Sequence, residues 1–391
     1  MARQYESTHS HLTFKLKLSG RNPFLWIALG ECQSKCEHIA RVPLRPETAR
    51  ELNRLFLVKG VLATTAIEGN TLSEEEVEQH LAGTLQLPPS RQYLGDEVDR
   101  IVEACQGILN ELLVGPMPPL TVERIMQLNG QVLRDLEVGE DVVPGQLRTL
   151  PVGVGRYRGA PAEDCDYLLQ TLCDWLNSDA FRAPDESLTI VYAVIKAVIA
   201  HLYIAWIHPF GDGNGRTARL LEFQILVGAG VPAACTHLLS NHYNQTRSRY
   251  YHELDKATAS GGETEPFLQY AVNGFLDGLR GQLETIWEQQ HDVTWRSYVT
   301  EHFRRDGHRR NGERRRDLVL DLSHQRGPVP REGIRHISAR VAEAYAKKGE
   351  RTLDRDLDYL LKQDLIVKTE KGYAPNREVI YAFLTPRAPH R

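Results

Sequence analysis

An almost unbroken apolar segment, Ser187 to Ile207, constrains the fold of this chain more than any other feature. A glycine-rich stretch, His208-Pro-Phe-Gly-Asp-Gly-Asn-Gly-Arg216, follows it, and a second apolar segment, Leu220 to Val227, comes next. This pattern is typical of two core helices joined by a turn. The first segment is also about long enough to cross a bilayer, but the lysine and the histidine inside it favour a buried core helix and predict no contact with a membrane.

The glycine-rich stretch lies where the second helix is predicted to begin. A helix N-terminus carries unpaired backbone N–H groups and a partial positive charge, so it attracts anions. Arg216 and Arg219 lie on one face of the first turn, where cations oppose the helix dipole unless an anion binds beside them. Asp212 would repel a bare phosphate but is a suitable ligand for Mg²⁺. His208, with a side chain that can take a proton near neutral pH, completes a predicted phosphate site with a base.

These nine residues resemble the signature of the Fic family, His-x-Phe-x-Asp/Glu-Gly-Asn-Gly/Lys-Arg, and Arg219 matches the family's second arginine. The resemblance implies protein adenylylation: a Ser, Thr or Tyr hydroxyl of a target protein, or of the enzyme itself, attacks the α-phosphate of Mg-ATP and releases pyrophosphate. His208 is then the base and Asp212 the Mg²⁺ ligand. The residues implied to bind ATP are Gly211, Gly213, Asn214, Gly215, Arg216, Arg219 and Tyr251.

Tyr251 belongs to a Tyr250-Tyr251 pair in a segment of helical pattern, where tyrosines commonly serve packing. The Fic resemblance implies instead that the second tyrosine lines the adenine pocket. Some relatives place an asparagine for the nucleotide seven residues later. This chain has Thr258 at that position, so the resemblance does not carry that contact over.

Glu68 lies at the end of a helical pattern that stops at Gly69-Asn70. A carboxylate in the last turn of a helix opposes the dipole, so Glu68 is either solvated or paired with a cation from elsewhere in the fold. Thr64-x-x-x-Glu68-Gly69 resembles the inhibitory motif of Fic proteins, whose glutamate pairs with the second arginine of the signature. The implied pair is Glu68 with Arg219, which would block the site for the terminal phosphate of ATP.

The stretch from Gly145 to Gly155 has glycine and proline at both ends and predicts a β-hairpin. The pattern alone fits a surface ribbon without a function equally well. Its Gly-x-x-Arg-Thr-x-x-Val segment resembles the flap of Fic proteins, which implies that an extended target segment pairs along its edge by strand addition. The flap positions carried over are Leu150, Pro151, Val152, Gly153 and Val154.

The predicted fold is mainly α, with a Fic-type helical core, a β-hairpin flap and a small C-terminal winged helix-turn-helix domain. A length of 391 residues suits two or three domains, and 41% hydrophobic residues suffice for ordinary cores. We assign residues 1–115 to an N-terminal region with the inhibitory helix, 116–285 to the catalytic domain and 286–391 to a basic linker and winged-helix domain. Six cysteines without paired ligand spacing, and a start without an apolar signal core, predict a cytoplasmic protein with reduced thiols.

The C-terminal region begins with a basic stretch, since eight arginines lie between Arg296 and Arg316. Helical patterns over Ile334–Lys348 and Arg351–Gln363, followed by two short strands about a Lys-Gly turn, predict a winged helix. Acidic residues alternate with basic ones in the second helix, which weakens the case for DNA binding through it. Binding of DNA, recognition of a protein and formation of a homo-oligomer all stay open.

Other functions fit the same signature. One is transfer of a different nucleotide or of a phosphoryl group, although Gly215, where kinase-like relatives carry lysine, argues against phosphoryl transfer. A second is removal of AMP from a modified target, with Glu68 positioning a water. A third, from another class, is a DNA-binding regulator with a vestigial Fic site, which the intact signature weakens. The net charge of −4 gives no global reason to bind nucleic acid.

Overall fold

Helices dominate the computed structural model, which describes residues 3–155, 157–305 and 309–381. This confirms the prediction of a mainly α fold. The helices are α1 Tyr5–Thr8, α2 Pro23–Arg41, α3 Pro46–Ala66, α4 Glu74–Leu81, α5 Gln92–Val114, α6 Val122–Leu133, α7 Cys165–Leu176, α8 Thr189–Ile207, α9 Asn214–Gly228, α10 Leu238–Gln245, α11 Arg247–Ala259, α12 Glu265–Arg305, α13 Arg309–Leu322, α14 Ala339–Ala346 and α15 Glu350–Lys362. The strands are β1 Gly153–Val154, β2 Tyr157–Arg158, β3 Ile366–Thr369 and β4 Gly372–Pro375.

The chain divides into two compact units, Met1–Glu284 and Thr285–Arg391, and α12 contributes residues to both. In the first unit the core surrounds α8, which packs along α9 and also contacts α2 and α7. The segment Glu186–Ile207 is long and apolar enough to cross a membrane, but 83% of its most apolar window is buried inside the protein. Its composition is therefore that of a central core helix.

The N-terminal helices share this core with the rest of the first unit. Helix α3 packs on α5 and α10, and α5 packs on α6 and α9. The stretch Gly115-Pro-Met-Pro-Pro119 separates two helices. Helix α5 ends at Val114, and α6 begins at Val122, where the Thr121 hydroxyl accepts a hydrogen bond from the Arg124 N–H. The division predicted between residues 115 and 116 is nevertheless not a division between compact units.

The second unit has its own core, which contains buried residues from α12 to α15 and from β3. Strands β3 and β4 pair antiparallel with Ile366 opposite Pro375, as the predicted Lys-Gly turn requires. The continuous helix predicted over Ile334–Lys348 is wrong: a 3-10 segment, Arg331–His336, precedes the shorter α14. The cause is local, since the Ser338 side chain caps α14 by accepting from the Val341 N–H at 3.1 Å.

Candidate active site

The turn between α8 and α9 is built by its own residues and by two side chains from outside it. His208 ends α8 in a left-handed conformation (φ +50°) and donates its backbone N–H to Ile204 at 2.9 Å. Gly213 has φ +74° in front of α9, a conformation that favours glycine. The Asn214 side chain closes the turn, because its amide accepts from the Phe210 N–H at 3.0 Å and donates to the Phe210 carbonyl at 2.9 Å. Gly211 lies against Val142.

Asn129 of α6 stabilises the same turn through hydrogen bonds of its side chain. Its amide donates to the Asp212 carbonyl at 3.0 Å and to the Thr217 hydroxyl at 3.2 Å. Its oxygen accepts from the Gly145 N–H at 3.0 Å. The first N–H groups of α9 have no partner within the helix, so they are available to an anion, and the anion site stays a prediction.

Arg148 is the second brace, and sequence reasoning gave it no role. Its buried guanidinium donates to four carbonyl groups, those of His208 (2.7 Å), Leu150 (2.9 Å), Ala160 and Ile207 (3.4 Å). Its backbone N–H donates to the Pro209 carbonyl at 3.0 Å. Arg148 therefore fastens the segment before β1 to the histidine end of the signature. The Gly-x-x-Arg spacing was a signal that could have found it.

His208 has the geometry of a general base. Burial lowers the pKa of His208 below its usual 6.5, the Ala205 carbonyl raises it in part, and the Arg148 cation lowers it further. The imidazole is therefore neutral near pH 7. Nδ1 lies 3.4 Å from the Ala205 carbonyl, so we assign the proton to Nδ1, which leaves Nε2 as the proton acceptor.

Arg219 is held by the segment that carries Glu68. Its guanidinium donates to the Glu68 carboxylate at 2.5 Å and to the Thr64 carbonyl at 3.0 Å. The Arg219 side chain is 1% exposed and that of Glu68 is 34% exposed, so only the carboxylate side of the pair meets solvent. Burial alone would raise the pKa of Glu68, but the Arg219 charge and hydrogen bond bring that pKa below its usual value. Glu68 is therefore ionised and paired.

Gly215 allows this approach. A Cβ at this position would lie 2.1 Å from the Glu68 carboxylate oxygen and 3.0 Å from Arg219. No side chain fits there while Glu68 is in place.

Arg216 lies between two carboxylates. It donates to Glu97 of α5 at 3.3 Å and to Asp212 at 3.4 Å, both long contacts, and its side chain is 7% exposed. Its Nε is buried without a hydrogen-bond partner in the described parts of the chain. Sequence reasoning missed Glu97, which lies 119 residues before its partner.

Asp212 fits a metal that brings its other ligands with it. Its side chain is 48% exposed, and the two hydrogen bonds it accepts, from the Gly213 N–H at 2.5 Å and from Arg216, both reach Oδ1. Oδ2 is thus available. The described residues contain no group of three or more His, Cys, Asp or Glu side chains that could hold a metal. Mg²⁺ commonly binds through one carboxylate together with phosphate and water, so Asp212 suits Mg²⁺ only as an ion that arrives with a phosphate chain.

A cavity of about 140 Å³ opens beside these groups. Its lining includes Glu68, His208, Gly215 and Arg219. Tyr251, which is 39% exposed, also lines it, together with the apolar side chains of Trp206 and Leu254. Tyr250 is instead buried, and its hydroxyl contacts His201 at 2.8 Å.

Thr258 lines the cavity, and its hydroxyl already makes two hydrogen bonds to the protein. Its hydroxyl accepts from the Trp206 indole at 2.9 Å and donates to the Leu254 carbonyl at 3.0 Å. The residue that replaces the asparagine of some relatives therefore fixes a wall of the cavity.

The hairpin forms, but it is shorter and later in the chain than the sequence predicts. Gly153 and Val154 pair with Arg158 and Tyr157, and the Gly159 N–H donates to the Val152 carbonyl at 3.1 Å. The predicted flap positions Leu150, Pro151 and Val152 precede β1, and the Val154 side chain lies outside the described part of the structure. The reason is that Arg148 takes up the Leu150 carbonyl and Pro151 has no N–H to donate.

Tyr157 of β2 is a further cavity residue that the sequence did not indicate. Its hydroxyl donates to the Trp206 carbonyl at 2.5 Å, and its ring packs near His11 from the N-terminal segment. The hairpin is thus tied to the end of α8 beside the cavity.

Known proteins are similar to this chain over the region that contains these residues. A family model described as Fic/DOC family matches residues 119–226. The chain is 32% identical over 212 residues to protein adenylyltransferase fic-1 of Caenorhabditis elegans, covering 54% of this chain and 38% of the relative. It is 30% identical over 251 residues to protein adenylyltransferase Fic of Drosophila erecta, covering 63% and 46%. The chain thus matches less than half the length of these curated relatives.

Two solved structures share the fold. A Fic family protein from Desulfovibrio desulfuricans G20 superposes with a TM-score of 0.56 at 20% identity, covering 96% of this chain and 99% of that one. Fic-1 (aa134–508) of C. elegans gives a TM-score of 0.55 at 24% identity, covering 68% and 74%. The matched region contains the whole turn from His208 to Arg219, so residues 119–226 of this chain are similar to the Fic/DOC family.

Proposed function

We propose that this protein is an autoinhibited adenylyltransferase that moves AMP from ATP to a hydroxyl group of a protein. The observation that carries the proposal is the contact of Glu68 with Arg219 inside a cavity that also contains a neutral His208. The names of the relatives support the reaction class.

His208 acts as the base. The target hydroxyl gives its proton to Nε2 as its oxygen forms a bond to the α-phosphorus of ATP. The bond from that phosphorus to the oxygen bridging to the β-phosphate breaks, and pyrophosphate leaves with the electron pair. AMP stays on the target as a phosphodiester.

The turn and the two arginines supply charge and position. The N–H groups at the start of α9 face the charge that develops on the α-phosphate. Arg216 and Arg219 hold the distal phosphates so that the leaving group lies in line with the attacking oxygen. Mg²⁺ held by Asp212 would neutralise charge on the phosphates when bound. The acceptor segment of the target is expected to pair along the edge of the β1–β2 hairpin.

Glu68 opposes this arrangement. An arginine that binds a carboxylate cannot hold a phosphate at the same time, so ATP is excluded or binds with its α-phosphate misdirected. Removal of the carboxylate should therefore release the activity. The C-terminal unit gives less support to a DNA-binding role, because Arg314 and Arg315 are paired with Asp356 and Arg316 with Asp317.

The test is transfer of label from α-³²P-ATP by the full-length protein, alone and in a cell lysate. We expect Glu68→Gly to label itself or other proteins at least tenfold more than wild type, and His208→Ala to lose about 10²–10⁴-fold of that activity because it lacks the base. Glu370→Gly, at an exposed turn of the β3–β4 hairpin, is the matched control and should behave as wild type. Absence of label with Glu68→Gly, in both settings, would contradict the proposal. Loss of label from a pre-modified target would favour AMP removal.

A further inference from the structure

Arg216 is incompletely bonded in the site. What we infer from it rests on the proposed function only in that ATP is the ligand. Its guanidinium contacts Glu97 at 3.3 Å and Asp212 at 3.4 Å, and its buried Nε is unpaired in the described parts of the chain. Charged hydrogen bonds of this kind are usually about 2.7–2.9 Å long. The cation is thus confined but incompletely bound, which leaves it able to exchange partners.

Glu97 engages Arg216 much as Glu68 engages Arg219. Both carboxylates precede the signature in the chain, Glu97 on α5 and Glu68 in the turn after α3, and both are partly exposed, 19% for Glu97 and 34% for Glu68. A carboxylate that holds a phosphate-binding arginine also repels the phosphate that would replace it. Glu97 therefore opposes the triphosphate at Arg216.

Asn70 connects the two carboxylates. Its amide donates to the other oxygen of Glu97 at 2.8 Å and to the Leu94 carbonyl at 2.9 Å. Its backbone N–H donates to the Thr65 carbonyl at 3.2 Å, so its position fixes the turn that carries Glu68 two residues earlier. Asn70 is 7% exposed, and a buried amide with these bonds has a single favourable position.

We propose that Glu97 is a positioning residue that holds Arg216 away from the triphosphate and, through Asn70, fastens the turn that carries Glu68. Its ligand class is a nucleoside triphosphate, whose distal phosphates compete for both arginines. A phosphate that takes Arg216 leaves Glu97 without its cation, and the Asn70 bond then no longer has a fixed anchor. Release of the two arginines is therefore coupled.

Binding and exchange experiments test this without any transfer reaction. The probe is a non-hydrolysable ATP analogue, titrated by calorimetry into the full-length protein. We expect Glu97→Gln, which keeps the side-chain volume, to bind the analogue about tenfold more tightly than wild type. It should also speed amide hydrogen exchange at residues 65–70. Glu111→Gln is the matched control, because Glu111 lies on the same helix and pairs with Arg124 outside the site; it should change neither quantity.

Asn70→Ala tests whether the hydrogen bonds of Asn70 couple Glu97 to the turn that carries Glu68, as distinct from a purely local effect of Glu97 on Arg216. We expect Asn70→Ala to speed amide hydrogen exchange at residues 65–70 and to tighten binding of the analogue. The Glu68→Gly/Glu97→Gln double variant should gain less affinity for the analogue than the product of the gains of the two single variants. Weaker or unchanged binding by Glu97→Gln overturns the proposal, since Glu97 would then only orient Arg216 for phosphate. Should Asn70→Ala unfold, the Glu97→Gln result alone decides. Tight binding without AMP transfer by any variant would leave this proposal standing and remove the proposed function, whereas no analogue binding by any variant would remove both.

Discussion

Two buried arginine–carboxylate arrangements in this protein differ in how completely they are satisfied. In the second unit Asp356, 1% exposed, accepts from Arg314 at 2.8 Å, from Arg315 at 2.7 Å and from the Tyr345 hydroxyl at 2.8 Å. In the first unit Glu68 accepts from Arg219 through one oxygen, and the Arg219 Nε has no hydrogen-bond partner in the described residues. The Asp356 cluster is a fully bonded part of a core, whereas the proposed function requires the Glu68–Arg219 pair to exchange its carboxylate for a phosphate.

The two arrangements differ in their access to solvent and ligands as well as in the number of hydrogen bonds. Arg315 also lies 3.9 Å from the Tyr359 ring, so aromatic groups shield the Asp356 cluster. Glu68 instead faces a cavity. When one partner of a buried ion pair is removed, the other is left as an unpaired buried charge. At a cavity wall, water or a ligand can take the place of the missing partner. The same chemistry therefore serves stability in one place and, under the proposed function, regulation in the other.

The largest effect should come from Asp356→Ala. Removing this carboxylate leaves two arginines and a tyrosine hydroxyl unpaired, and we expect a loss of about 3–5 kcal/mol in the free energy of unfolding of the second unit. Urea unfolding of the full-length protein, followed by hydrogen exchange in α15, measures it. Asp354→Ala is the matched control, because Asp354 is 47% exposed and its pair with Arg331 should contribute about 1 kcal/mol or less.

The comparison also requires a smaller loss at Glu68. Glu68→Ala should cost less than Asp356→Ala, since water reaches Arg219 through the cavity, and the ATP analogue should restore stability only in the Glu68 variant. Equal losses in the two variants, with no rescue by the analogue, would show that both pairs are structural.

A smaller effect is expected from Gly215→Ala, which disturbs the exchangeable pair without removing it. The added Cβ would stand 2.1 Å from the Glu68 oxygen, so Glu68 must withdraw. We expect basal AMP transfer to rise about tenfold, within the range of ordinary coupling energies. Gly107→Ala, at a position on α5 with open space around it, is the control and should leave transfer unchanged. Unchanged transfer together with unchanged analogue binding would mean that Glu68 tolerates the methyl group.

The sequence predicts the local parts of this site well. The turn from His208 to Arg219 carries its own chemistry, and the apolar segments on either side specify α8 and α9 because core helices need little beyond buried apolar side chains. The sequence also predicts that Glu68 lies at a helix end, whereas its pairing with Arg219 was predicted only from the family resemblance.

The remaining parts depend on contacts between distant residues. Glu97 and Asn129 look like ordinary helical residues in the sequence, and only the packing of α5 and α6 on α9 brings them to Arg216 and Asp212. The short hairpin has the same origin, because Arg148 binds carbonyl groups that a longer strand ladder would have used. Such contacts are properties of tertiary packing, and no local pattern encodes them.

The smallest effect is on the pH dependence of inhibition. The pKa of Glu68 is lowered from 4.5, mainly by Arg219 acting against the raising effect of burial, so the pair is present above the unfolded value and is lost only as the pH falls through the lower folded value. The ratio of Glu68→Gly to wild-type transfer rates should therefore stay constant between about pH 7 and 8.5, where His208 is also neutral.

Below that window both rates should fall, about tenfold for each pH unit below the pKa of His208, which lies under 6.5. Glu68 raises the pKa of His208, so the Glu68→Gly variant should reach half of its plateau at a lower pH than wild type. Profiles of kcat/KM against pH measure both quantities. A ratio that changed within the neutral window would mean that Glu68 titrates there, and the pair at Arg219 would then be a pH-sensitive contact, unlike the Asp356 cluster, whose carboxylate has a pKa lowered by three donors despite its burial.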